Sequence, residues 1–489
     1  MPYPELSEIK KIAADGQYNV APVTEELFAD VRTPVEVLKA MMNVSEHVFI
    51  LESAEDKEKW GRYTFLGFDP SMEITCTNGV LCVDGTEKMH TDKPEDFIRS
   101  VLAKRKSPKI KGLPSFTGGL VGYFSYDYLK YPESSLRLDA KDTEGFRDLE
   151  LMLFDNVVAF DNFSQKIVLI VNISLVKDLD EEYARAEKKL AELKELILHG
   201  EPKKDVDGHM TSEIRPYFSK EQYCEMVEKA EHHIYEGDIF QIVLSNRLEA
   251  DFEGSLLNTY RVLRTMNPSP YMFYFSGDSM EIAGASPETL AKLEDGTLQT
   301  FPLAGTRRRG KTPEEDKALE DGLLKDPKEL AEHNMLVDLG RNDLGKVSKF
   351  GSVHVDRYHC VLKYSHVMHI GSTVTSRIAD DKDAMDAVDS ILPAGTLSGA
   401  PKIRACQLIN DLENNKRGIY GGAIGYLDFT GNLDTCIAIR IAYKKNGKVF
   451  VRSGAGIVAD SVPENEYQEC LNKAAAVVTA LKLAGEVEE

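Results

Sequence analysis

The sequence predicts an α+β fold with large antiparallel β-sheets and flanking helices, and two observations carry this prediction. The first is a series of short β-rich runs that are separated by turn signals typical of β-hairpins. These signals are Asn78-Gly79, Asp84-Gly85, Asp295-Gly296, Gly431-Asn432 and Asn446-Gly447. The second is a set of segments with apolar residues at every third or fourth position, which predict helices. Because short hairpin links join antiparallel strands, we expect antiparallel sheets.

The chain has 489 residues, which is long for one hydrophobic core and predicts two or more domains. We expect a first unit over residues 1–200, a polar linker over residues 201–216 and a second unit over residues 217–489. A helix ends the first unit and is followed by Gly200 as a C-cap. Its apolar stripe consists of Tyr183, Ala186, Leu190, Leu193 and Ile197.

The second unit begins with a helix after Ser219, which has capping-box spacing to Gln222. A strand follows over residues 239–248, and its alternation places Phe240 on one face and Gln241 on the other. Two further helices are predicted, over residues 326–344 and 463–483.

The formal net charge of −21 limits the partners of this chain. Such a field repels phosphate backbones, so nucleic-acid binding is disfavoured. It also repels small anions at long range, so any anion site must be built locally from Arg, Lys, backbone N–H groups or a metal. The seven cysteines are scattered and form no CxxC pair, which is typical of a reducing cytoplasm rather than a disulfide scaffold.

The apolar runs are too short for a membrane helix, because the longest, residues 167–176, is interrupted by Asn172 and Ser174. The first residues lack the basic region and apolar core of a signal peptide. We therefore expect a cytoplasmic protein without membrane contacts.

Two pairs of glutamates give the clearest chemical signal. On one predicted helix, Glu329 and Glu332 lie three residues apart. On another, Glu466 and Glu469 have the same spacing. Residues at this spacing share a helix face, so two facing pairs would offer four carboxylates to a hard cation such as Mg²⁺. Each pair alone also fits an ordinary exposed helix, where Glu is common.

Two glycine-rich corners could present backbone N–H groups to a carboxylate. Gly454-Ala455-Gly456 follows a strand predicted over residues 449–452, and residues 395–399 precede a predicted helix. Tight turns without a ligand have the same composition, so both interpretations stay open.

His369 and Arg440 are lone polar residues within apolar runs that we predict to be strands. A histidine in a strand is often a satisfied structural residue. A buried guanidinium, in contrast, requires a carboxylate partner from the protein or from a ligand.

Seven sequence motifs resemble, in order, those of the chorismate-utilising enzymes. They are GASPETL (284–290), PLAGTRRRG (302–310), KELAEHNMLVDLGRNDLG (328–345), VMHIGSTV (367–374), PAGTLSGAPK (393–402), GGAIGY (421–426) and RSGAGIVADSVPENEYQEC (452–470). The N-terminal half matches more sparsely, in LESAEDKEKWGRYTFLG (51–67) and GGLVGYFSYD (118–127). So many motifs in order make the resemblance highly specific, and it implies the two intertwined units of that family's fold.

The resemblance implies a magnesium site at the paired glutamates. Glu332 and Glu469 would bind Mg²⁺ directly. Glu329 and Glu466 would contact it through metal-bound waters. The metal would hold the ring carboxylate of chorismate, with Lys473 close to the metal carboxylates.

The resemblance also implies how the substrate is held. Tyr420 and Arg440 would bind the enolpyruvyl carboxylate, for which a planar guanidinium suits bidentate pairing. Backbone amides of residues 454–456 would lie near the substrate carboxylates. The implied substrate site comprises Gly305, Thr306, Tyr420, Arg440, Gly454, Ala455, Gly456 and Lys473, and Gln241 and Thr396 in the same site are counted among the catalytic residues.

The chemistry implied by the resemblance has two stages. Glu288 is the general acid for the C4 hydroxyl, a poor leaving group, and needs a raised pKa to act near neutral pH. A nucleophile then adds at C2. In the second stage pyruvate leaves, and His369 is the acid–base group that removes the C2 proton as the ring aromatises.

Two positions indicate the branch of the family that this chain resembles. Relatives that add water carry a lysine where this chain has Gln241, and an amide is a poor base. Relatives that form aminodeoxychorismate commonly carry lysine where this chain has Ala304. The resemblance therefore favours the anthranilate-forming branch, which uses ammonia.

The resemblance further implies a partner and an inhibitor. No cysteine lies in a GxCxG elbow, so a separate glutamine amidotransferase subunit, component II, would supply ammonia within a heterotetramer. The segments LESAEDK and 267–272 resemble a tryptophan-inhibition site between domains. Its residues would be Ser53, Pro270, Tyr271 and Met272, with Leu51 and Glu52 adjoining. A plain domain interface or a structural tryptophan are the alternatives.

Two other functions stay open. One is aminodeoxychorismate synthase component I, whose product keeps the enolpyruvyl group, so that no pyruvate is released. The other is a catalytically silent subunit that binds only tryptophan or a partner. The presence of Glu288, Glu332, His369, Arg440 and Glu469 argues against the silent subunit.

Overall fold

The computed structural model describes residues 2–54, 61–204, 206–278, 280–363 and 367–487. Its helices are α1 Leu6–Ala14, α2 Pro34–Met41, α3 Pro94–Ala103, α4 Leu179–His199, α5 Lys220–Tyr235, α6 Leu257–Met266, α7 Pro313–Leu323, α8 Pro327–Gly345, α9 Ala384–Ile391, α10 Lys402–Glu413 and α11 Pro463–Leu483. Short 3₁₀ turns span Tyr126–Lys130, Gly395–Leu397 and Ala484–Glu486.

The strands are β1 Val20–Phe28, β2 Val48–Glu52, β3 Tyr63–Phe68, β4 Met72–Thr77, β5 Val80–Val83, β6 Thr86–His90, β7 Gly119–Phe124, β8 Leu149–Phe154, β9 Asn156–Asp161, β10 Lys166–Ser174, β11 Gly208–Met210, β12 Arg215–Pro216, β13 Gln241–Gly254, β14 Tyr271–Ser276, β15 Glu281–Ser286, β16 Thr289–Glu294, β17 Thr297–Thr300, β18 Leu303–Arg308, β19 His354–Lys363, β20 Val367–Arg377, β21 Gly399–Ala400, β22 Ala423–Asp428, β23 Leu433–Ile437, β24 Ile441–Lys445 and β25 Lys448–Ile457.

These strands form two sheets, of 13 and 12 strands. The first sheet has the order β1-β10-β9-β3-β2-β14-β15-β24-β25-β13-β11, and β12 and β21 also pair with β13. The second has the order β18-β20-β17-β16-β23-β22-β7-β8-β4-β5-β6, and β19 also pairs with β20. The pairings between the described strands are antiparallel, so the predicted α+β class with antiparallel sheets is confirmed.

Four of the predicted hairpin turns join paired strands with a two-residue loop. These are the turns at residues 78–79, 84–85, 295–296 and 446–447. In the first of them Asn78 has a φ of 50° and Gly79 a φ of 82°, the left-handed conformation that such turns need. The fifth signal, Gly431-Asn432, lies in a longer loop between β22 and β23.

The predicted helix starts are confirmed by their caps. The Ser219 hydroxyl accepts from the Gln222 amide at 3.3 Å, and the Gln222 side chain accepts from the Ser219 amide at 2.9 Å. The Asp326 side chain caps α8 by accepting from the Lys328 amide at 3.0 Å. Among the described residues, no helix combines the length and apolar character that crossing a membrane requires.

The strand predicted over residues 239–248 differs in extent. β13 begins at Gln241 and continues to Gly254. Phe240 lies before the strand and is 73% exposed, and its amide donates to Ala400 O at 2.7 Å. The strand is longer than expected because residues 208–210 and 215–216, within the predicted linker, pair with its second half.

Two predicted local contexts are wrong. Gly454-Ala455-Gly456 is not a corner but lies inside β25, because β13 runs alongside and Leu244 pairs with Ala455. Arg440 is not within a strand, because β23 and β24 belong to different sheets and the chain must cross between them. Arg440 lies on this link with a φ of 53°.

Both sheets combine strands from the two predicted units. In the first sheet β2 pairs with β14, and in the second β7 pairs with β22. The sheets pack face to face over an apolar core in which the rings of Phe49 and Phe154 meet edge to face, with centroids 4.7 Å apart. Such a ring pair adds roughly 1 kcal/mol beyond its area burial. The division at residues 200 and 217 stays a prediction.

Candidate functional site

A cavity of about 490 Å³ is lined by strands of both sheets and by α8 and α11. It brings together almost all of the residues predicted for catalysis, substrate and metal. These are Gln241, Glu288, Gly305, Thr306, Glu329, Glu332, His369, Thr396, Tyr420, Arg440, Gly454, Gly456, Glu466, Glu469 and Lys473. Because their sequence positions are far apart, only the fold explains their convergence.

Ala455 is the predicted substrate residue that does not line this cavity. Alternate side chains of a strand point to opposite faces, so Ala455 points away from the side on which Gly454 and Gly456 lie. It is fully buried in an apolar cluster with residues of α5 and α10.

Glu288 lies on the link between the two sheets, between β15 and β16, and is 9% exposed. The Thr396 hydroxyl donates to Glu288 Oε1 at 3.1 Å. Burial raises the pKa of Glu288 to about 7, although the Thr396 hydrogen bond and the Arg440 charge oppose the rise. A carboxyl group with this pKa keeps its proton up to neutral pH and can donate it to a leaving group.

His369, on β20, is held by the neighbouring strand β18. Its Nδ1 lies 3.1 Å from Gly305 O and 3.1 Å from Thr306 Oγ1. A carbonyl can only accept, so we assign the proton to Nδ1, which leaves the lone pair on Nε2. Burial lowers the pKa of His369, which keeps the ring neutral and basic at neutral pH.

The four predicted metal carboxylates reach the cavity from α8 and α11. Burial, and then the nearby Glu329 carboxylate, raise the pKa of Glu332. Burial raises the pKa of Glu466, and the Glu469 carboxylate adds to the rise. The carboxylates therefore repel one another in a partly dehydrated place, and a bound cation would relieve that repulsion.

The donor chemistry of these carboxylates fits a hard metal ion that keeps water ligands. All four groups offer oxygen, the donor that Mg²⁺ prefers, whereas structural zinc is usually bound through nitrogen or sulfur. Among the residues that the structure describes, the acidic, cysteine or histidine ligand atoms that lie within 4.8 Å of one another as a group of three belong to His47, Glu73 and Asp278, outside the cavity.

Gln241 begins β13 and is 6% exposed. Its Oε1 is buried and has no hydrogen-bond partner among the described residues. A buried acceptor normally has a donor, so a ligand N–H group in the cavity would satisfy it. Ala304 lines the same cavity and adds neither charge nor a hydrogen-bonding group.

The protein family described as chorismate binding enzyme matches this chain from residue 46 to residue 479. This chain belongs to the chorismate-binding enzymes. Anthranilate synthase component 1 of Acetivibrio thermocellus is 45% identical to it over 99% of both chains. The protein of the same name from Aquifex aeolicus is 43% identical, again over 99% of both.

Two solved structures of similar proteins have the same fold. The crystal structure of anthranilate synthase component I from Streptococcus pneumoniae superposes with a TM-score of 0.75 at 39% identity, over 85% of this chain and 92% of that one. The menaquinone-specific isochorismate synthase of Escherichia coli superposes with a TM-score of 0.70 over 97% of this chain. At 19% identity the latter shows the shared fold alone.

Two basic side chains contact the carboxylates of this chorismate-binding enzyme. Arg307 Nη1 lies 2.9 Å from Glu329 Oε1, and Lys473 Nζ lies 2.7 Å from Glu469 Oε1. Lys473 also donates to Gly454 O at 3.1 Å. Sequence reasoning missed Arg307, and its place beside Thr306 in the PLAGTRRRG motif is the signal that identifies it.

Tyr420 and Arg440 both line the cavity. Burial raises the pKa of Tyr420, so its hydroxyl remains a donor. Arg440 donates to Asn267 Oδ1 at 3.5 Å. A second guanidinium, that of the fully buried Arg452, is paired with a carboxylate, because its Nη2 lies 2.8 Å from Glu413 Oε2. Arg452 also follows apolar residues in the sequence, as Arg440 does. Sequence reasoning nevertheless missed Arg452.

A second cavity, of about 430 Å³, lies between the two sheets of this chorismate-binding enzyme. It is lined by all six residues predicted for tryptophan, namely Leu51, Glu52, Ser53, Pro270, Tyr271 and Met272. Strands β16, β22 and β23 of the second sheet form the opposite wall. Residues 55–57 of the predicted segment lie outside the described residues.

The walls of this inter-sheet cavity suit an aromatic amino acid. Tyr63, Phe65 and Phe273 supply aromatic surface. The Asp434 carboxyl lies on the opposite wall and accepts from the Tyr271 hydroxyl at 2.7 Å. Aromatic surface beside charged groups fits a ligand that has both an aromatic side chain and charged termini.

Proposed function

We propose that this chorismate-binding enzyme is the large subunit of an anthranilate synthase. It would aminate chorismate with ammonia and eliminate pyruvate to give anthranilate, the first step of tryptophan biosynthesis. The observation that carries the proposal is the similarity to anthranilate synthase component 1 over 99% of both chains. The geometry of the 490 Å³ cavity supports it residue by residue.

The choice of nucleophile rests on Gln241. Its neutral amide is too weak a base to activate water, which disfavours an isochorismate-forming or salicylate-forming reaction. Its buried Oε1 has no partner among the described residues and suits an N–H donor such as ammonia. Ala304, which also lines the cavity, agrees with the anthranilate branch that the sequence resembles.

Proton transfer is assigned to Glu288 and His369. Glu288, protonated near pH 7, donates its proton to the C4 oxygen, which leaves as water while ammonia bonds to C2 and the added nitrogen releases one proton. His369 Nε2 then takes the C2 proton as the ring aromatises. The bond between the ring and the enolpyruvyl oxygen breaks, and that fragment gains a proton to become pyruvate.

Binding of the dianionic substrate is assigned to groups on opposite sides of the cavity. The Arg440 guanidinium and the Tyr420 hydroxyl would hold the enolpyruvyl carboxylate. Magnesium held by Glu332 and Glu469, with Glu329 and Glu466 behind, would neutralise the ring carboxylate and disperse charge during C–O cleavage. Thr396 keeps the Glu288 carboxyl group in place through its 3.1 Å hydrogen bond.

The remaining parts of the proposal concern partners and regulation. Ammonia would come from a separate glutamine amidotransferase subunit, in a cytoplasmic heterotetramer. L-Tryptophan would bind in the 430 Å³ inter-sheet cavity and inhibit the reaction. The position of this cavity between the sheets, next to the link that carries Glu288, supports a regulatory rather than a purely structural ligand.

The nitrogen source tests this proposal. The purified chain is incubated with chorismate, Mg²⁺ and either an ammonium salt or glutamine, and anthranilate is followed by its fluorescence. We expect anthranilate with ammonium, loss of the signal with EDTA or tryptophan, and none with glutamine until a glutamine amidotransferase subunit is added. Turnover with glutamine alone would contradict the subunit assignment. Tryptophan binding without any chorismate turnover would favour the silent subunit.

A further inference from the structure

We propose that the hydrogen bond between Tyr271 and Thr289 couples the inter-sheet cavity to Glu288, so that Thr289 is a positioning residue through which a bound aromatic amino acid inhibits the enzyme. This inference rests on the proposed function, because it takes Glu288 as the catalytic acid and the inter-sheet cavity as the inhibitor site.

The first step concerns where Glu288 lies in the chain. β15, in the first sheet, ends at Ser286, and β16, in the second sheet, begins at Thr289. Pro287 and Glu288 alone join them, so the position of the Glu288 carboxyl depends on how the two sheets are placed. Any ligand that changes the separation of the sheets must move this short link.

The second step is a side-chain connection across the same gap. Tyr271, on β14 of the first sheet, lines the inter-sheet cavity. Its hydroxyl donates to Asp434 Oδ1 at 2.7 Å and lies 3.0 Å from Thr289 Oγ1. Because the tyrosine proton is given to the carboxylate, the Thr289 hydroxyl donates to the tyrosine oxygen. Tyr271 is thereby tied to the residue that directly follows Glu288.

The third step is a backbone connection from the opposite wall. Asp434 and Cys436, on β23, line the inter-sheet cavity. The same strand ends at Ile437, whose amide donates to Glu288 O at 2.9 Å. Both walls of the inter-sheet cavity are therefore bonded to the segment that holds the catalytic acid.

Small displacements at this place have large effects on rate. Glu288 must keep its 3.1 Å contact with Thr396 and reach the C4 oxygen of the substrate. A misplacement of about 1 Å in a catalytic group costs on the order of 100-fold in rate. An aromatic amino acid packed against Tyr271 and Asp434 needs to shift their hydrogen bonds only slightly to stop proton donation.

The test compares tryptophan binding with tryptophan inhibition in the full chain. Thr289→Val removes the hydroxyl and keeps the side-chain shape. We expect the Kd of this variant for L-tryptophan, measured by calorimetry, to change less than about threefold. We expect its half-inhibitory concentration, the tryptophan concentration that halves the variant's own uninhibited rate, to rise about tenfold or more. Thr24→Val is the matched control, since Thr24 lies on β1, a strand at the edge of the first sheet that lines neither cavity, and its buried hydroxyl donates to Tyr3 O at 2.9 Å.

A second variant keeps the test decisive if Thr289→Val does not fold. Tyr271→Phe keeps the ring in the inter-sheet cavity and removes the same hydrogen bond from its other end. The ratio of half-inhibitory concentration to Kd should again rise about tenfold. If the ratio of half-inhibitory concentration to Kd is unchanged in these variants, or if the wild type binds tryptophan without being inhibited, the coupling through Thr289 is overturned and the proposed reaction is not. A wild type that neither binds tryptophan nor converts chorismate would overturn the proposed function as well.

Discussion

At the scale of single residues, the proposed reaction depends on two side chains, and their surroundings shift the two pKa values in opposite directions. Burial raises the pKa of Glu288 to about 7, so this carboxyl group is an acid near neutral pH. Burial lowers the pKa of His369, so this imidazole is a base at the same pH. An acid and a base in one cavity can therefore act in turn on one substrate.

Replacing Glu288 with Gln tests the acid. Gln has nearly the same shape but no acidic proton, so we expect turnover to fall by about 100- to 10,000-fold with chorismate binding largely retained. Steady-state kinetics and calorimetric titration with chorismate give the two values. The control is Glu253→Gln, an exposed residue of β13 that lines neither cavity. Turnover within about threefold of wild type would contradict the assignment.

The pH dependence follows from the same side chain. Because the raised pKa keeps Glu288 protonated below about 7, the acid form and the rate decline as pH rises through that value. Ammonium salts yield more neutral ammonia at high pH, so kcat/KM for chorismate must be compared at a fixed concentration of neutral ammonia. We expect a decline on the alkaline side, and an increase there would contradict the role of Glu288.

His369 can be tested by separating the two stages of the reaction. His369→Met removes the base that takes the C2 proton but leaves Glu288 and its Thr396 contact in place. We expect chorismate to be consumed and an aminated product that keeps its enolpyruvyl group to accumulate. Chromatography of the products identifies that compound, and anthranilate formed at the wild-type rate would contradict the role of His369.

At the scale of secondary-structure elements, α8 and α11 carry the four glutamates of the proposed metal site. Glu332→Ala removes one implied direct ligand, so we expect Mg²⁺-dependent turnover to fall by at least about 100-fold and calorimetry to detect weaker Mg²⁺ binding. Circular dichroism should show an intact fold. Glu464→Gln is the control, because Glu464 is exposed in the first turn of α11 and does not line the cavity. Wild-type activity of Glu332→Ala would exclude the metal role.

The sequence predicts those elements whose signals are local. The turn at Asn78-Gly79 and the cap at Ser219 are specified by neighbouring residues, and the structure confirms both. The context of Gly454 depends on β13, more than two hundred residues earlier in the chain, and that of Arg440 on the assignment of β23 and β24 to different sheets. Long-range pairing of this kind leaves no local pattern, which is why both contexts were predicted wrongly.

The same limit applies to contacts within the site. Motif resemblance selected about half of the residues that line the cavity. A motif records which residues occur and not how they are arranged. It did not show that Arg307 pairs with Glu329, or that Tyr271 reaches Thr289. Such side-chain pairs require the register of the strands, which only the folded chain supplies.

At the scale of the whole molecule, two sheets shared by both halves of the chain create two cavities. The proposed catalytic and metal-binding residues line the 490 Å³ cavity, and the 430 Å³ cavity lies between the sheets. Glu288 and Arg440 both lie on links where the chain crosses from one sheet to the other. We therefore expect both the reaction and its regulation to depend on how the two sheets are positioned relative to each other.

The central claim is that this chain converts chorismate and ammonia into anthranilate and pyruvate. The most direct measurement is the amount of pyruvate released per chorismate consumed by the purified chain with Mg²⁺ and ammonium. The account predicts equal molar amounts of pyruvate and anthranilate, each matching the chorismate lost. Chorismate loss without pyruvate would contradict it and would assign the chain to aminodeoxychorismate synthesis.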